Sequence, residues 1–261
     1  MSKKMFPIFF RIGNLSLRTY GLFVAIGVLV AYNYVLKNAY RRQVGREFVS
    51  NLSFFSLITG FLGARLLYVF LNFDYYKNDL LSVIKIWEGG LVLYGGILFG
   101  LIFGIIFIKT SKQNFLELCD LYAPSLFLGL SIGRLGCFFA GCCYGRETSS
   151  FLGIIFSNVD SLAPLGVKLF PTQLFESAYS ILIFAVVHKF FINKKLRHKL
   201  LFFGLIFYSI LRFFNEFLRG DYRGEYVFGL SPAQFISIIL IILNFLVIVY
   251  ITFRAKTSDK N

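Results

Sequence analysis

The sequence predicts an all-α polytopic membrane protein with about seven transmembrane helices and a small extracytoplasmic cap. Of its 261 residues, 57% are hydrophobic and 34 are Phe, and the mean hydropathy of +0.71 lies well outside the range of soluble domains. Runs of about 20 apolar residues match the roughly 30 Å hydrocarbon thickness of a bilayer. Seven such runs lie at about 19–37, 48–71, 90–109, 119–140, 174–192, 200–218 and 230–253, within one domain of residues 1–261.

Two segments outside the spans carry structural information of their own. The first apolar patch, MFPIFFRIG, is too short to span a bilayer and lacks a small-residue cleavage site, so we expect an interfacial segment on the outer face. The stretch 141–173 is the longest between two spans and is predicted to form the cap. Within the fourth span Pro124 interrupts the apolar run, a break that neighbouring helices or a cavity can satisfy.

The basic residues indicate how the chain is oriented. The formal net charge is +14, and the loops after the first, third and fifth spans together with the C-terminal tail hold 14 Lys and Arg, against 10 on the other side. Because Lys and Arg accumulate on the cytoplasmic side, the N-terminus is predicted outside and the C-terminus in the cytoplasm. We interpret these loops as topology signals and contacts to membrane lipids, and expect no nucleic-acid partner.

A set of ionisable side chains lies deep inside the predicted spans, where each charge costs roughly 3 kcal/mol or more. Such charges normally face the interior of a helix bundle and mark a functional site. With the predicted orientation, all of them lie toward the outer half of the bilayer. They are Arg65, Arg134, Glu176, Arg212 and Glu216.

The sixth span carries a polar stripe on one helix face. Tyr208, Arg212, Glu216 and Arg219 follow helical spacing, and the other faces are Leu, Ile and Phe. One interpretation is structural: Arg212 and Glu216 satisfy each other as an i, i+4 pair, while Arg219 snorkels to the interface. The other is functional, because several guanidinium groups near the headgroups form a rigid fork for a phosphodiester. The implied substrate is a phospholipid, bound by Arg134, Arg212, Arg65 and Arg219.

The third span begins with IWEGGLVLYGG, in which two glycine pairs flank Tyr94. The glycines allow a backbone or a ligand to approach closely. Tyr94 is either a core aromatic residue or a hydrogen-bond donor that assists proton transfer. Trp87 is predicted to anchor the interface.

The segment GRLGCFFAGCCYG brings Cys137, Cys142 and Cys143 to the end of the fourth span. Three interpretations stay open: small packing residues, a disulfide or redox-sensitive thiol, and a direct catalytic role. A zinc site is not predicted, because zinc takes four ligands and CxxxxCC without a nearby His lacks the usual spacing. We therefore expect no metal and no cofactor. Cys119 is predicted to be inert packing.

These segments together resemble the prolipoprotein diacylglyceryl transferase family over nearly the whole chain. Six motifs follow that family's order and spacing: RTYGL, GARLLYV, the WEGG and YGG segment, GRLG, FPTQLFE and RFFNEFLR. The resemblance implies a seven-span enzyme of the bacterial inner membrane. Such an enzyme moves the diacylglyceryl group of phosphatidylglycerol to the lipobox cysteine of a lipoprotein precursor, releasing glycerol 1-phosphate. We expect it to act as a monomer.

The family's functional positions are mostly kept, with departures near the cysteines. Where the family signature reads GRxGNFxNxExxG, this chain has Cys137, Ala140 and Cys142 at the two Asn and the Glu. The family's usual His is Tyr94 here, and a second His, before the PTQ turn, is Phe170. The resemblance implies catalysis by Arg134, Arg212, Tyr94 and Glu216. The matching residues are Tyr20, Gly133, Arg134, Gly136, Phe138, Gly145, Gln173, Glu176, Tyr208, Arg212 and Glu216.

Two other functions fit the same sequence. A diverged paralogue on this scaffold would act as a lipid-binding or thiol-redox membrane protein. A secondary transporter with polar, broken helices is a weaker interpretation, because the sequence has no inverted repeat.

Overall fold

The structure is a computed structural model that describes residues 2–3, 6–12, 15–77, 80–85, 89–222, 224–225 and 228–258. Trp87, the predicted interface anchor, lies outside the described residues. Eight α-helices make up most of the described residues, and short 3₁₀ helices lie at Ala39–Arg42 and Leu80–Ile84. The helices are α1 (Thr19–Asn38), α2 (Arg46–Leu71), α3 (Phe73–Tyr76), α4 (Leu93–Thr110), α5 (Phe115–Ala140), α6 (Thr172–Ile192), α7 (Leu200–Glu216) and α8 (Pro232–Ser258).

The all-α polytopic membrane fold is confirmed. In the described part of the chain, six helices are long and apolar enough to cross a membrane, namely α1, α2, α4, α5, α6 and α8. The predicted sixth span corresponds to α7, which has 17 residues and a length of about 25 Å. That length is at the short end of what a bilayer requires.

Two small β-structures accompany the helices. Strand β1 (Ser2–Lys3) pairs in parallel with β4 (Ile154–Phe156), which pairs antiparallel with β5 (Lys168–Leu169). Phe156 of β4 and Leu169 of β5 form a small buried core with Phe138 and Ala163. The segment 141–173 is therefore folded, as expected of the predicted cap. Strands β2 (Ile8–Ile12) and β3 (Leu15–Arg18) form a hairpin.

The predicted interfacial patch forms part of that hairpin. Phe6, Phe9 and Phe10 are each more than half exposed there, and Leu17 is 49% exposed. Exposed aromatic side chains of this kind suit the headgroup region of a bilayer. The location of the hairpin on the outer face stays a prediction.

The chain divides into two compact units, of which the second covers residues 36–118. In this unit α2 and α4 pack closely because glycines leave room for backbone contact. A Cβ atom on Gly95 would lie 2.4 Å from the carbonyl oxygen of Gly63, and one on Gly60 would lie 3.0 Å from that of Gly96. The expectation that the YGG glycines allow close approach is therefore confirmed for the backbone.

The first unit covers residues 1–35 and 119–261, and α5 runs through its core. The predicted fourth span tolerates Pro124, because α5 continues through this residue as one helix. Phe127 is 1% exposed, and Gly129 allows α5 to contact the backbone of Gly27 on α1. Asp120 is fully buried and accepts the backbone amides of His198 and Leu200, which fixes the start of α7.

The glycine contact between α2 and α4 gives a testable prediction of stability. We expect Gly95→Ala to lower the free energy of unfolding by about 1–3 kcal/mol, because the added methyl group meets backbone atoms that cannot move away cheaply. The measurement is thermal unfolding of the purified protein in detergent. Gly21→Ala is the matched control, since nothing lies within 4 Å of a Cβ at that helical position. An equal or higher melting temperature for Gly95→Ala than for Gly21→Ala would contradict the prediction.

Candidate active site

A fully buried carboxylate, Glu176 of α6, lies at the centre of the candidate site. Arg134 of α5 donates from Nη2 to its Oε1 at 2.8 Å, and Nε of Arg212 of α7 lies 4.0 Å from the same oxygen. The hydroxyl of Tyr208 donates to that oxygen at 2.6 Å. Because a buried charge is stable only with partners, this carboxylate holds α5, α6 and α7 together at one point.

The expected pair between Arg212 and Glu216 is confirmed. Nη1 of Arg212 bonds to Oε2 of Glu216, and both side chains are less than a tenth exposed. Ser231, which precedes α8, donates its hydroxyl to the other oxygen of Glu216 at 3.1 Å. Glu216 therefore connects the arginine to the start of the last helix.

Arg134 differs from Arg212 in having donors that are not committed to carboxylates. Its Nε has no hydrogen-bond partner among the described residues, and its Nη1 faces the sulfurs of Cys137 and Cys143 at 3.9 and 3.8 Å. The side chain is 19% exposed, compared with 9% for Arg212. A Cβ atom on the adjacent Gly133 would meet nothing within 4 Å. Arg134 is thus a partly exposed cation with a donor that no described residue accepts.

The three cysteines of the GRLGCFFAGCCYG segment come together in space. Their Sγ atoms all lie within 4.8 Å of one another, and all of them are reduced thiols. The thiols of Cys137 and Cys142 donate toward Cys143, and Arg219 and Arg134 lie close to it, so the pKa of the Cys143 thiol is lowered. The three interpretations of the cysteines, namely packing, a disulfide or redox-sensitive thiol, and direct catalysis, therefore concern a group of three neighbouring thiols.

The cluster is held by the beginning of α6. Thr172 donates from Oγ1 to the carbonyl oxygen of Cys143 at 2.7 Å, and Gln173 donates from Nε2 to that of Cys142 at 2.7 Å. Both α6 side chains are fully buried. The Gln173 implied by the PTQ motif therefore positions the cysteine loop.

The prediction that Arg219 snorkels to the interface from the helical stripe is wrong. Helix α7 ends at Glu216, and Arg219 instead forms a β-bridge with Gly145 of the cap. Its side chain is 3% exposed and makes two 2.8 Å bonds to the carboxylate of Asp221. The Nη1 atom has no partner among the described residues.

Gly136 and Gly145, two glycines that match the family signature, leave room for close packing. A Cβ on Gly136 would lie 2.8 Å from Cβ of Phe23 and 3.1 Å from the carbonyl oxygen of Tyr20, so α1 packs directly on α5. A Cβ on Gly145 would lie 2.7 Å from the carbonyl oxygen of Leu218. The first contact places Tyr20, 45% exposed, within electrostatic range of Arg134 and the cysteines.

Two residues of the predicted site belong to the second unit. Arg65 donates to the carbonyl oxygens of Ser82, Val83, Lys85, Gly89 and Gly90 at 2.7–3.3 Å. This arginine binds the polypeptide itself, and its role in substrate binding stays a prediction. Tyr94, the second residue of α4, is 67% exposed, and its proton-transfer role also stays a prediction.

Three further polar residues of the site, Asn215, Asp221 and Ser231, were not predicted from the sequence. Asn215 is buried and donates from Nδ2 to the carbonyl oxygen of Thr172 at 3.3 Å. Asp221 pairs with Arg219, and Ser231 with Glu216. Asn215 is a polar residue inside a predicted span, directly before Glu216, a signal that could have identified it. Asp221 and Ser231 have no such signal because they lie in loops.

Comparisons with known proteins identify the family of the chain. The family model of the prolipoprotein diacylglyceryl transferase matches residues 7–250. The chain is 38% identical over 229 residues to "Phosphatidylglycerol--prolipoprotein diacylglyceryl transferase 2" of Clostridium perfringens, covering 88% of this chain and 89% of the relative. It is 33% identical to the transferase of Clostridium tetani, over 97% of this chain and 100% of the relative. With the transferase of Listeria monocytogenes it shares 34% identity over 94% of this chain and 89% of the relative.

The similarity extends across both compact units, including all the helices that form the candidate site. The family match begins in the N-terminal segment and ends inside α8. The arginine and glutamate cluster and the GRLG segment are therefore part of the region that is shared. The chain belongs to the prolipoprotein diacylglyceryl transferase family.

Proposed function

We propose that this chain transfers the diacylglyceryl group of phosphatidylglycerol to the lipobox cysteine thiol of lipoprotein precursors, with release of glycerol 1-phosphate. The observation that carries the proposal is the convergence of Arg134 and Arg212 on the buried Glu176, at 2.8 and 4.0 Å. Fixed guanidinium groups in apolar surroundings suit the phosphodiester of an anionic lipid. The relatives in Clostridium and Listeria carry the name of this reaction.

The reaction is a displacement at the glycerol carbon that bears the phosphate. The sulfur of the lipobox cysteine forms a C–S bond to this carbon while the C–O bond to phosphate breaks. The electron pair of that bond leaves with the phosphate oxygen, and the thiol proton is released. The products are a thioether-linked diacylglyceryl protein and glycerol 1-phosphate.

The proposed role of the arginines is to stabilise the negative charge that grows on the leaving phosphate. Arg134 supplies the direct contact, because its Nε donor has no partner and the space beside Gly133 is open. Arg212 contributes positive charge while Glu216 and Glu176 hold it in place. Electrostatic stabilisation of this kind is often the largest single contribution to catalysis.

The remaining groups fit this arrangement as positioning residues. Tyr208 and Glu176 orient Arg134, and Gln173 holds the loop that follows it. Tyr94 is the sequence-based candidate for taking the thiol proton, and this stays part of the proposal. The exposed apolar helices fit a membrane protein; the bacterial inner membrane, an outside N-terminus and a monomeric state are also proposed.

The function is tested by complementation. We expect membranes from a transferase-depleted strain that expresses this chain to transfer the diacylglyceryl group from phosphatidylglycerol to a fluorescent lipobox peptide. Mass spectrometry of the peptide is the measurement, and a peptide with Ser in place of Cys is the control. A protein that is present and folded but leaves the peptide unmodified would instead indicate a lipid-binding or thiol-redox paralogue.

The arginines give a graded prediction. We expect Arg134→Ala to lower the transfer rate by about 1000-fold and Arg212→Ala by about 100-fold, because the Arg134 side chain is the more exposed of the two and Arg212 is paired with Glu216. Arg134→Lys keeps the charge without the fork, so its rate falls between wild type and Arg134→Ala.

Arg46→Ala is the matched control, since Arg46 is exposed at the start of α2 and should leave the rate unchanged. Thermal unfolding of each variant reports whether it folds. Equal losses for Arg134→Ala and Arg212→Ala in folded proteins would show that the phosphate does not contact Arg134 preferentially.

A further inference from the structure

The cysteine cluster at the end of α5 offers a set of sulfur ligands that the spacing along the chain does not reveal. Cys137 lies in the last turn of α5, while Cys142 and Cys143 follow the helix end. The three Sγ atoms lie within 4.8 Å of one another. In the described part of the chain no His, Asp or Glu side chain joins this group.

The backbone is shaped to bring the sulfurs together. Gly141 and Cys143 both have positive φ, 75° and 63°, and a left-handed conformation is costly for a non-glycine residue such as Cys143. The hydrogen bonds from Thr172 and Gln173 to the carbonyl oxygens of this loop maintain that conformation. Backbone strain held by buried neighbours is a feature of functional sites.

We propose that Cys137, Cys142 and Cys143 bind a Zn²⁺ ion as thiolates and leave its fourth position for the thiol of the lipobox cysteine. This inference rests on the proposed transfer reaction and identifies how the acceptor thiol is bound and activated. It replaces the expectation of a site without metal, which came from sequence spacing alone.

The distances fit a zinc ion with a small contraction. Zinc–sulfur bonds are about 2.3 Å long, so neighbouring sulfurs of a tetrahedral site are about 3.8 Å apart. The sulfurs here are at most 4.8 Å apart, so movements of about 1 Å or less close the site. Changes of side-chain rotamer at Cys142 and Cys143, which are only half-buried, suffice for this.

The number of ligands indicates a reactive site. Structural zinc sites use four protein ligands, whereas catalytic sites use three and keep one position for water or substrate. Three thiolates also suit Cu(I), but a Cu(I) ion with three sulfurs has no need of a fourth. Zinc prefers four ligands, so it is the ion that leaves a position for the acceptor.

The surrounding charges match a thiolate-rich zinc site. A Zn²⁺ ion with three thiolates has a net charge of −1, and an incoming thiolate makes it −2. Nη1 of Arg134 lies 3.8–3.9 Å from two of the sulfurs, and the charge of Arg219 also acts on Cys143. Two guanidinium groups therefore lie near the sulfurs, and each of them also pairs with a carboxylate, Glu176 or Asp221. Outer groups of this kind tune metal sites.

The bound metal would perform the step for which this chain lacks the family's usual histidine. With zinc bound, the lipobox thiol would take the position of a water and give its proton to solvent, so the metal would supply a thiolate at neutral pH. The sulfur would then attack the glycerol carbon, and the C–O electron pair would leave with the phosphate held by Arg134. The product is a neutral thioether, a weaker zinc ligand than a thiolate, so water can displace it.

The test begins with metal content. The full chain is purified in detergent from cells grown with zinc, and zinc per protein is measured by inductively coupled plasma mass spectrometry. We expect about one zinc per chain. The Cys137→Ser, Cys142→Ser and Cys143→Ser triple variant should lose it, and Cys119→Ser, a buried cysteine elsewhere in α5, should keep it.

The open position is tested by spectroscopy of the metal. After replacement of zinc by Co²⁺, three thiolates give strong near-ultraviolet charge-transfer absorption. We expect added lipobox peptide to increase this absorption by about one third, because a fourth thiolate binds. A peptide with Ser in place of Cys should leave the spectrum unchanged.

Activity provides a separate readout. Removing zinc with a chelator should lower transfer to the lipobox peptide by roughly 100-fold, and added zinc should restore it. Transfer that continues in wild-type protein without zinc, or in the folded triple variant, overturns the zinc proposal and leaves the proposed function intact. Copper in place of zinc, or no metal above the level of the triple variant, also overturns it. Stoichiometric zinc with the peptide-dependent cobalt signal but no transfer supports the zinc site and overturns the transferase function.

Discussion

The structure of the candidate site depends on one buried carboxylate and the two guanidinium groups that share it. Glu176 is fully buried, and a charge in this position would be unstable without Arg134 and Arg212. Conversely, both arginines lie in apolar helices, Arg134 in a candidate membrane span and Arg212 buried in α7, where each needs a counter-charge. The mutual requirement fixes α5, α6 and α7 around a common point. Tyr208 and Ser231 add hydrogen bonds to the carboxylates of Glu176 and Glu216.

Arg134 connects this ion cluster to the cysteines. One side of its guanidinium is committed to Glu176, while Nη1 faces two sulfurs and Nε has no partner in the described part of the chain. The planar fork therefore offers an anionic phosphate and a sulfur nucleophile neighbouring positions on the same group. In a displacement reaction the nucleophile bonds to the carbon from which the phosphate leaves. A residue that contacts both reactants would therefore favour their correct approach.

The sequence predicted those features that the bilayer and the helical period impose. The fourth span was expected at 119–140 and is found at Phe115–Ala140, because the apolar length of a helix is constrained by the membrane. Arg212 and Glu216 pair as helical spacing requires.

The same spacing failed for Arg219, because α7 ends at Glu216 and the arginine forms a β-bridge with Gly145 of the cap. Pro124 interrupts the apolar run of this span, and α5 continues through it because a helix packed against its neighbours tolerates the lost hydrogen bond. The cysteine cluster could not be predicted, because it depends on the left-handed turn at Gly141 and Cys143.

The departures from the family signature make physical sense as a group. Cys137 and Cys142 replace an Asn and a Glu of that signature, and neither is a conservative substitution alone. If each cysteine packed independently, their side chains would not need to converge, and Cys143 would not need a strained backbone. The observed convergence within 4.8 Å instead requires both substitutions together with the loop that presents Cys143. Arg134, Glu176, Arg212 and Glu216 match the residues that the family resemblance gives at these positions. The residues proposed to bind the phosphate therefore fit the resemblance, whereas Cys137 and Cys142 depart from it.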